Sequence, residues 1–433
     1  MYTHQYRQKL TTPERAVEAI APGSTLVHAM ATGEPPALLE AIAQRVRAGD
    51  LREIKVFALL PMEHAARTIL AEDLADRIIS HSWFVSPADR CLIREGRNYF
   101  VPNEFHQLPR ICRDFMEIDV TLTTVSPMDR AGFFSFGTTN DYISTAARHC
   151  RRLIVEVNPN MPRVFGDALL HVSEVDAIVE NDLPLLEIVP SPPKPEAEVI
   201  GRLIAEMIPD GATLQLGIGG IPNAVVHYLE GHKDLGIHTE LFCPGMMHLI
   251  KKGVVTGAKK NLHPWKHVFT NAMGDREMYE FMHDNPSMES YPVSYTNDPH
   301  VIAQNDRMIS INSTIEVDLL GQCNSEYLGG SEYSGTGGQL DYVRGAFNSQ
   351  GGMSVIAFYS TAHNAETSRI VPRFAPGTVV TTPRMDTHYL ATEYGVANLK
   401  GKSTRERALD IISLAHPKFR EDLLKEAHSM RLL

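Results

Sequence analysis

The segment Pro22-Gly23-Ser24-Thr25-Leu26 returns 188 positions later as Asp210-Gly211-Ala212-Thr213-Leu214. Beyond it, Gly33, Pro35 and Ala37 align with Gly220, Pro222 and Ala224. Further on, Asp141-Tyr142-Ile143-Ser144-Thr145-Ala146 is echoed by Asp341-Tyr342-Val343-Arg344-Gly345-Ala346, at an offset of 200 and in the same order. Two collinear echoes imply one unit written twice, with a period far too long for a solenoid. A chain of 433 residues divides naturally into two or three domains, and halves of this size bury full cores without a disulfide or metal staple. The join is the stretch from Ile188 to Glu196, where Pro190, Pro192, Pro193 and Pro195 preclude a helix interior or central strand. The expected domains are 1–190 and 191–433.

Within each half, short apolar runs alternate with helical patterns. Strands are expected over 53–60, 119–125, 153–157 and 177–180 in the first half. In the second they are expected over 212–216, 236–242, 267–270, 308–311, 354–358 and 378–381. Several runs are apolar on both faces, as in sheets covered by helices on each side. Helices are expected over 36–47 and 222–229, opening with proline near the first turn, and over 403–414 behind a Ser/Thr cap. The fold class is α/β, with two similar open, mostly parallel sheets.

Charge narrows the function. Lys and Arg number 41 against 52 Asp and Glu, a net −11, which argues against nucleic acid, whose phosphates need a broad basic face. No run of about eighteen apolar residues exists to span a membrane. Residues 1–12 are polar and carry no apolar leader-like stretch. The five cysteines, Cys91, Cys112, Cys150, Cys243 and Cys323, are scattered without a C-x-x-C pair. That suits reduced thiols in a cytoplasm and supplies no zinc or redox motif.

Three constellations carry chemistry. Gln215-Leu216-Gly217-Ile218-Gly219-Gly220-Ile221-Pro222-Asn223 follows a strand and opens a helix. Its glycines allow close backbone approach, and a helix start favours an anion, so a phosphate or an oxyanion would fit; so would an ordinary tight turn. Pro222 stands where a dinucleotide loop carries its third glycine. The second constellation, Gly236 to Phe242, brings Glu240 to a strand end. There a carboxylate is placed for chemistry, for solvent, or, 21 residues past Gly219, for a nicotinamide ribose. The third is Ser334 to Ala346, a glycine loop (Gly335, Gly337, Gly338) leading to Asp341 and Arg344, with a plain linker as its alternative. Lys251, Lys252, Lys259 and Lys260 read as a solvated face or as phosphate ligands. His263 and His267 are not assigned a metal, because Pro264 opposes a helix there.

Taken together, Gly217 to Pro222, His238 to Phe242 and Gly337 to Asp341 resemble family I coenzyme A transferases. The similar branch is the acetyl-CoA hydrolase/transferase group, which includes 4-hydroxybutyrate, butyryl and itaconate CoA-transferases. Ile311 to Gln322 and Ala391 to Ala397 extend the resemblance over nearly the whole chain. It implies two similar α/β domains with the active site at their interface and Glu240 as the residue that forms a covalent thioester. Gly217, Ile218, Gly219, Gly220 and Ile221 would contact CoA, with Gly337, Gly338 and Asp341 near the thioester. The first half would supply the acyl pocket, with His28, Met30, Arg90 and Asn140 as candidates; Arg90 would pair with an acceptor carboxylate or serve a structural role. The implied partners are acyl-CoA and a small carboxylate, with no metal and no cofactor other than CoA as substrate, in a cytoplasmic homodimer or tetramer.

A glutamate, ionised at neutral pH at its reference pKa of about 4.3, attacks a thioester without a general base if it is positioned and dry. The expected reaction is CoA transfer from acetyl-CoA or succinyl-CoA to an acid of the 4-hydroxybutyrate, butyrate or itaconate type, with ping-pong kinetics. The alternatives are an acyl-CoA hydrolase using the same site, an NAD-dependent oxidoreductase with Glu240 on the ribose, and a non-catalytic CoA-binding regulator.

Overall fold

The computed structural model describes residues 2–188 and 193–433. Of the proline-dense join, residues 189–192 lie outside the described residues. The chain forms two compact units, discontinuous in sequence. The first comprises Met1–Ile188, Val268–Thr296 and Ser331–Gly335, and the second Val189–His267, Asn297–Gly330 and Thr336–Leu433. Long-range hydrogen bonds that no local pattern encodes draw the two later segments into the first unit. Asn140 N–H donates to Thr270 O and Val85 N–H to Ser334 O.

The first unit is built on a seven-stranded sheet: β1 (Thr25–His28), β2 (Ile54–Leu59), β3 (Ile78–Phe84), β4 (Asn98–Phe100), β5 (Ile118–Val125), β6 (Cys150–Val157) and β7 (Ala177–Glu180), in the order β7-β6-β5-β1-β2-β3-β4. Every pairing is parallel. Helix α1 (Pro36–Ala48) starts on a proline and stops at Gly49, whose φ of +85° closes the last turn without a Cβ penalty. Leu38, Ile42 and Val46, spaced by four, form one stripe of α1 and pack with Leu26, Ile54 and Val120 of the sheet in one core.

The second unit repeats the plan with six strands: β8 (Thr213–Leu216), β9 (Gly236–Ile237), β10 (Met308–Ser313), β11 (Met353–Ala357), β12 (Tyr389–Thr392) and β13 (Gly395–Asn398). Their order is β9-β8-β10-β11-β12-β13, parallel except for the β12–β13 hairpin. Ile356, Leu390, Ile411 and Leu423 belong to its core. The helix Thr404–Ser413 starts in a capping box formed by Ser403 and Glu406.

The sequence echoes are structural. Thr25 opens β1 and Thr213 opens β8, and in each unit this strand sits where the order reverses. Tyr142 and Tyr342, the echoed tyrosines, are both fully buried. Two expectations are corrected. The apolar segment 236–242 is not one strand, because pairing stops after His238, whose N–H donates to Leu214 O. Residues 378–381 form no strand: Val379 and Val380 point outward, and the sheet is continued by Tyr389–Thr392 instead. Among the described residues, no helix is long and apolar enough to cross a membrane.

Candidate active site

In doubly wound sheets, ligands bind beyond the carboxyl ends of the strands where the order reverses. In the second unit that point lies between β8 and β10, and the glycine loop occupies it. Below the loop, Gln215 and Asn312 exchange amide hydrogen bonds of 3.3 and 3.2 Å across the two strands. Among the described residues, a Cβ added to Gly217 or Gly219 would meet no atom within 4 Å, so their packing does not require glycine at either position. Gly219 is held at φ +125° as the N-cap of helix α2 (Gly220–Tyr228), whose first N–H groups have no intrahelical partner. Ile218 is 46% exposed whereas Ile221 is in the core. The loop thus offers bare backbone to a ligand, with Ile221 as its anchor. At Gly220 a Cβ would stand 3.0 Å from the Tyr359 hydroxyl.

Glu240 lies on the turn that begins where β9 leaves the ladder. Its half-buried carboxylate accepts a 2.6 Å hydrogen bond at Oε2 from Nδ2 of Asn297. Asn297 is fully buried, and the same amide lies 3.5 Å from Oδ2 of Asp341. Gly338 completes the cluster by close approach: a Cβ there would stand 1.8 Å from Glu240 Oε2 and 2.3 Å from Asn297 Nδ2. Only glycine fits against that carboxylate.

Gly338 caps helix α3 (Gln339–Asn348), and Gly337 before it turns at φ +54°. Asp341, 1% exposed, lies in the first turn of α3, where the helix dipole favours a negative charge. The loop is braced from behind: the Thr336 hydroxyl donates to Glu326 at 3.1 and 3.2 Å, and Thr381 donates to the same carboxylate at 2.8 Å. Burial pushes the Glu326 carboxyl pKa up against those bonds. Burial, then the charges of Glu240 and Asp341, hold the Tyr342 phenol well above its ordinary range.

Of the sequence-predicted residues of the second unit, Glu240, Gly338 and Asp341 form one cluster. Asn297 was not anticipated. In the sequence it precedes Asp298-Pro299, an ordinary helix start with Asp298 as cap, and nothing in its spacing points to a partner 57 residues earlier.

In the first unit, His28 ends β1, next to β5 at the corresponding reversal. Its ring Nδ1 lies 2.8 Å from Ala29 O, and burial lowers its pKa to about 4, so it is neutral. The His28 carbonyl accepts from the Tyr142 hydroxyl at 2.7 Å. Met30 is buried, and Ala31 follows at φ +43°, a conformation non-glycine residues rarely adopt. Asn140 is fully buried; its Nδ2 donates to Asp167 O at 2.9 Å, while Oδ1 has no hydrogen-bond partner among the described residues. Arg90 clasps Tyr333: Nε donates to the Tyr333 carbonyl at 2.8 Å and the guanidinium carbon lies 3.6 Å from the ring centroid. That geometry ties a helix start to a returning segment of the same unit. Of the lysines, Lys252 pairs with Glu230 at 2.6 Å. Lys260 is 5% exposed and bound to main-chain carbonyls, so it is neither a solvated face nor a phosphate ligand.

Fold and site define a duplicated, doubly wound α/β enzyme that carries a tethered carboxylate and an open glycine loop. The chain belongs to the acetyl-CoA hydrolase/transferase family. The N-terminal domain of that family matches residues 1–190 and its C-terminal domain matches residues 274–427. Succinyl-CoA:cyclohexane-1-carboxylate CoA transferase of Geobacter metallireducens is 44% identical over 99% of this chain and 97% of its own. The 4-hydroxybutyrate coenzyme A transferase of Clostridium kluyveri is 43% identical over 97% of each. The crystal structure of RipA from Yersinia pestis superposes with a TM-score of 0.97 at 50% identity, covering 100% of both chains.

Proposed function

We propose that this protein is a CoA-transferase moving CoA between an acyl-CoA and a small carboxylic acid, with Glu240 as the group that carries it. The observation behind this reading is the carboxylate itself, aligned by Asn297 and pressed against the Gly338 backbone. An end-of-strand glutamate after a glycine loop also suits a ribose. An amide already on Oε2, the Gly338 contact and the family favour acyl chemistry.

The sequence of bonds is balanced without a cofactor. Glu240 attacks the thioester carbonyl, forming an acyl–glutamyl anhydride as the C–S bond breaks and CoA thiolate leaves. The thiolate adds to the Glu240 side-chain carbonyl and expels the donor acid as its carboxylate, leaving glutamyl-CoA. The acceptor carboxylate then displaces thiolate to give a second anhydride. Thiolate attack on its acyl carbonyl releases the new acyl-CoA and regenerates Glu240. No net proton moves. Each addition places negative charge on an oxygen, and one well-aimed donor is worth about 3–4 kcal/mol there. The Asn297 amide is such a donor for oxygens on the Glu240 carbon, and glycine-loop amides serve the substrate carbonyl. Binding of the nucleotide end of CoA along the open loop at Gly217–Gly220 would help align the reacting end.

The test is a panel of small carboxylic acids with acetyl-CoA and succinyl-CoA as donors, together with trapping. Incubation with donor alone, followed by borohydride or hydroxylamine and peptide mapping, should modify Glu240. Loss of label and of exchange in Glu240→Ala supports the reading; label elsewhere, or normal exchange by that variant, refutes it. Hydrolysis in the absence of acceptor measures how far water competes at the same site.

A further inference from the structure

The positioning of Glu240 has a second part, remote from the carboxylate. Strand β9 is only two residues long and is the edge of its sheet. On its inner side, Gly236 N–H donates to Ala212 O and His238 N–H to Leu214 O, at 2.8 and 3.1 Å. The groups of Ile237 therefore face the free edge, as alternate residues of a parallel strand do. Along that edge runs the segment from Val254 to Lys260. It serves Leu235 with backbone bonds: Leu235 N–H donates to Val254 O, and Thr256 and Gly257 N–H donate to Leu235 O. It turns away before reaching Ile237. There the Lys260 ammonium takes over, donating to Ile237 O at 2.8 Å and to Lys266 O at 2.9 Å.

This ammonium is a built feature. Lys260 is 5% exposed, and a buried lysine is costly unless its donors are used. Its stem lies on bare backbone: a Cβ on Gly236 would stand 2.5 Å from Lys260 Cγ. The pinned carbonyl is three residues before Glu240, at the point where the chain leaves the sheet.

We propose that Lys260 is a positioning residue for Glu240, fixing the departure of the chain from β9 so that the carboxylate meets Asn297 and Gly338. The proposal rests on Glu240 being the acylated group. Asn297 sets the far end of the side chain and Lys260 the near end of its backbone, through the carbonyls of Ile237 and Lys266.

The experiment compares Lys260→Met, Lys260→Arg and Gly236→Ala with the parent and with Glu240→Gln. Each is assayed with the best donor–acceptor pair from the panel. Active sites are counted by borohydride trapping, and folding is followed by thermal denaturation. Lys260→Met should lower kcat per folded site by about 10- to 100-fold, the scale of an ångström-size misplacement. KM for acyl-CoA should stay within about threefold, since the glycine loop is untouched. Lys260→Arg should recover part of kcat by keeping a donor. Gly236→Ala keeps the charge but pushes the stem aside, and should reproduce the kcat loss even if Lys260→Met does not fold. A lysine that served stability alone would lower the melting temperature and leave kcat per folded site unchanged; that result in the folded variants overturns the proposal. If Glu240→Gln is inactive while the Lys260 and Gly236 variants turn over normally, the positioning role fails and the role of Glu240 stands. If Glu240→Gln itself turns over normally, the parent reading fails.

Discussion

Gly338→Ala isolates the contact on which the active-site reading depends. The backbone at this position, φ −93° and ψ +9°, is open to alanine, so the substitution adds a methyl group without forcing the main chain. The new Cβ would stand 1.8 Å from Glu240 Oε2, where ordinary contact begins near 3.4 Å. The carboxylate must therefore retreat by about 1.6 Å, and the Asn297 amide, 2.3 Å away, by about 1.1 Å. Their 2.6 Å hydrogen bond cannot survive both movements. A hydrogen bond to a charged group is worth about 1.5–3 kcal/mol, and displacement of a reacting atom by an ångström costs on the order of 10²-fold. The expected fall in kcat is about 10²- to 10³-fold. Alanine is a poorer N-cap than glycine by no more than about 1 kcal/mol, so the loss of activity should far exceed the loss of stability. The assay is steady-state exchange between an acyl-CoA and a carboxylate, with borohydride trapping at Glu240 and a melting curve on the same preparation. Turnover within about threefold of the parent would show that this carboxylate does no chemistry.

Gly217→Ala makes the opposite comparison. Its Cβ meets no atom of the described residues within 4 Å, so melting should be unchanged while KM for acyl-CoA rises about tenfold if CoA lies on this loop. Asn297→Ala removes the donor on Oε2 and should lower kcat by about 10²-fold, with the acyl-CoA KM little changed. Arg90→Lys keeps the charge but loses the planar stack and the Nε bond to Tyr333. It should lower the melting temperature, through a loss of about 1–2 kcal/mol, without changing the acceptor KM. Glu156 tests pH linkage. Burial raises its pKa to about 7 despite bonds from Asn181, Leu38 and Ala37, so the folded state keeps a proton that the unfolded chain releases near pH 4.5. Its contribution to stability is full below that pH and is lost as pH rises towards 7, by up to about 3 kcal/mol. Between pH 5 and 8 the melting temperature of Glu156→Gln should fall less than that of the parent; parallel curves would contradict the assignment.

The duplication, the α/β class and the glycine loop are legible along the chain because each is a local or collinear pattern. Thr25 and Thr213 open equivalent strands, and the runs read at 119–125 and 308–311 became central parallel strands, buried along nearly their whole length, as expected of a sheet with both faces covered. Glu240 was legible through its place after a glycine loop and through family resemblance. The reading of 236–242 as one strand failed because apolar character marks burial, not pairing, and a two-residue edge strand is defined by its partners rather than by its own sequence.

The amino-acid order alone determined that there are two like halves, where the bare backbone lies, and which carboxylate stands at a strand end. Tertiary structure alone decided what holds that carboxylate. Asn297 and Lys260 come from loops 57 and 20 residues away from Glu240, and their side chains follow no period; Gly338, 98 residues away, is expected near the thioester from the family resemblance, but its close approach to Oε2 is a property of the fold. Hydrogen bonds to buried carboxylates and carbonyls act through a few ångströms of space. The residues that make them are therefore selected by where the folded chain returns, which the spacing of the sequence does not encode.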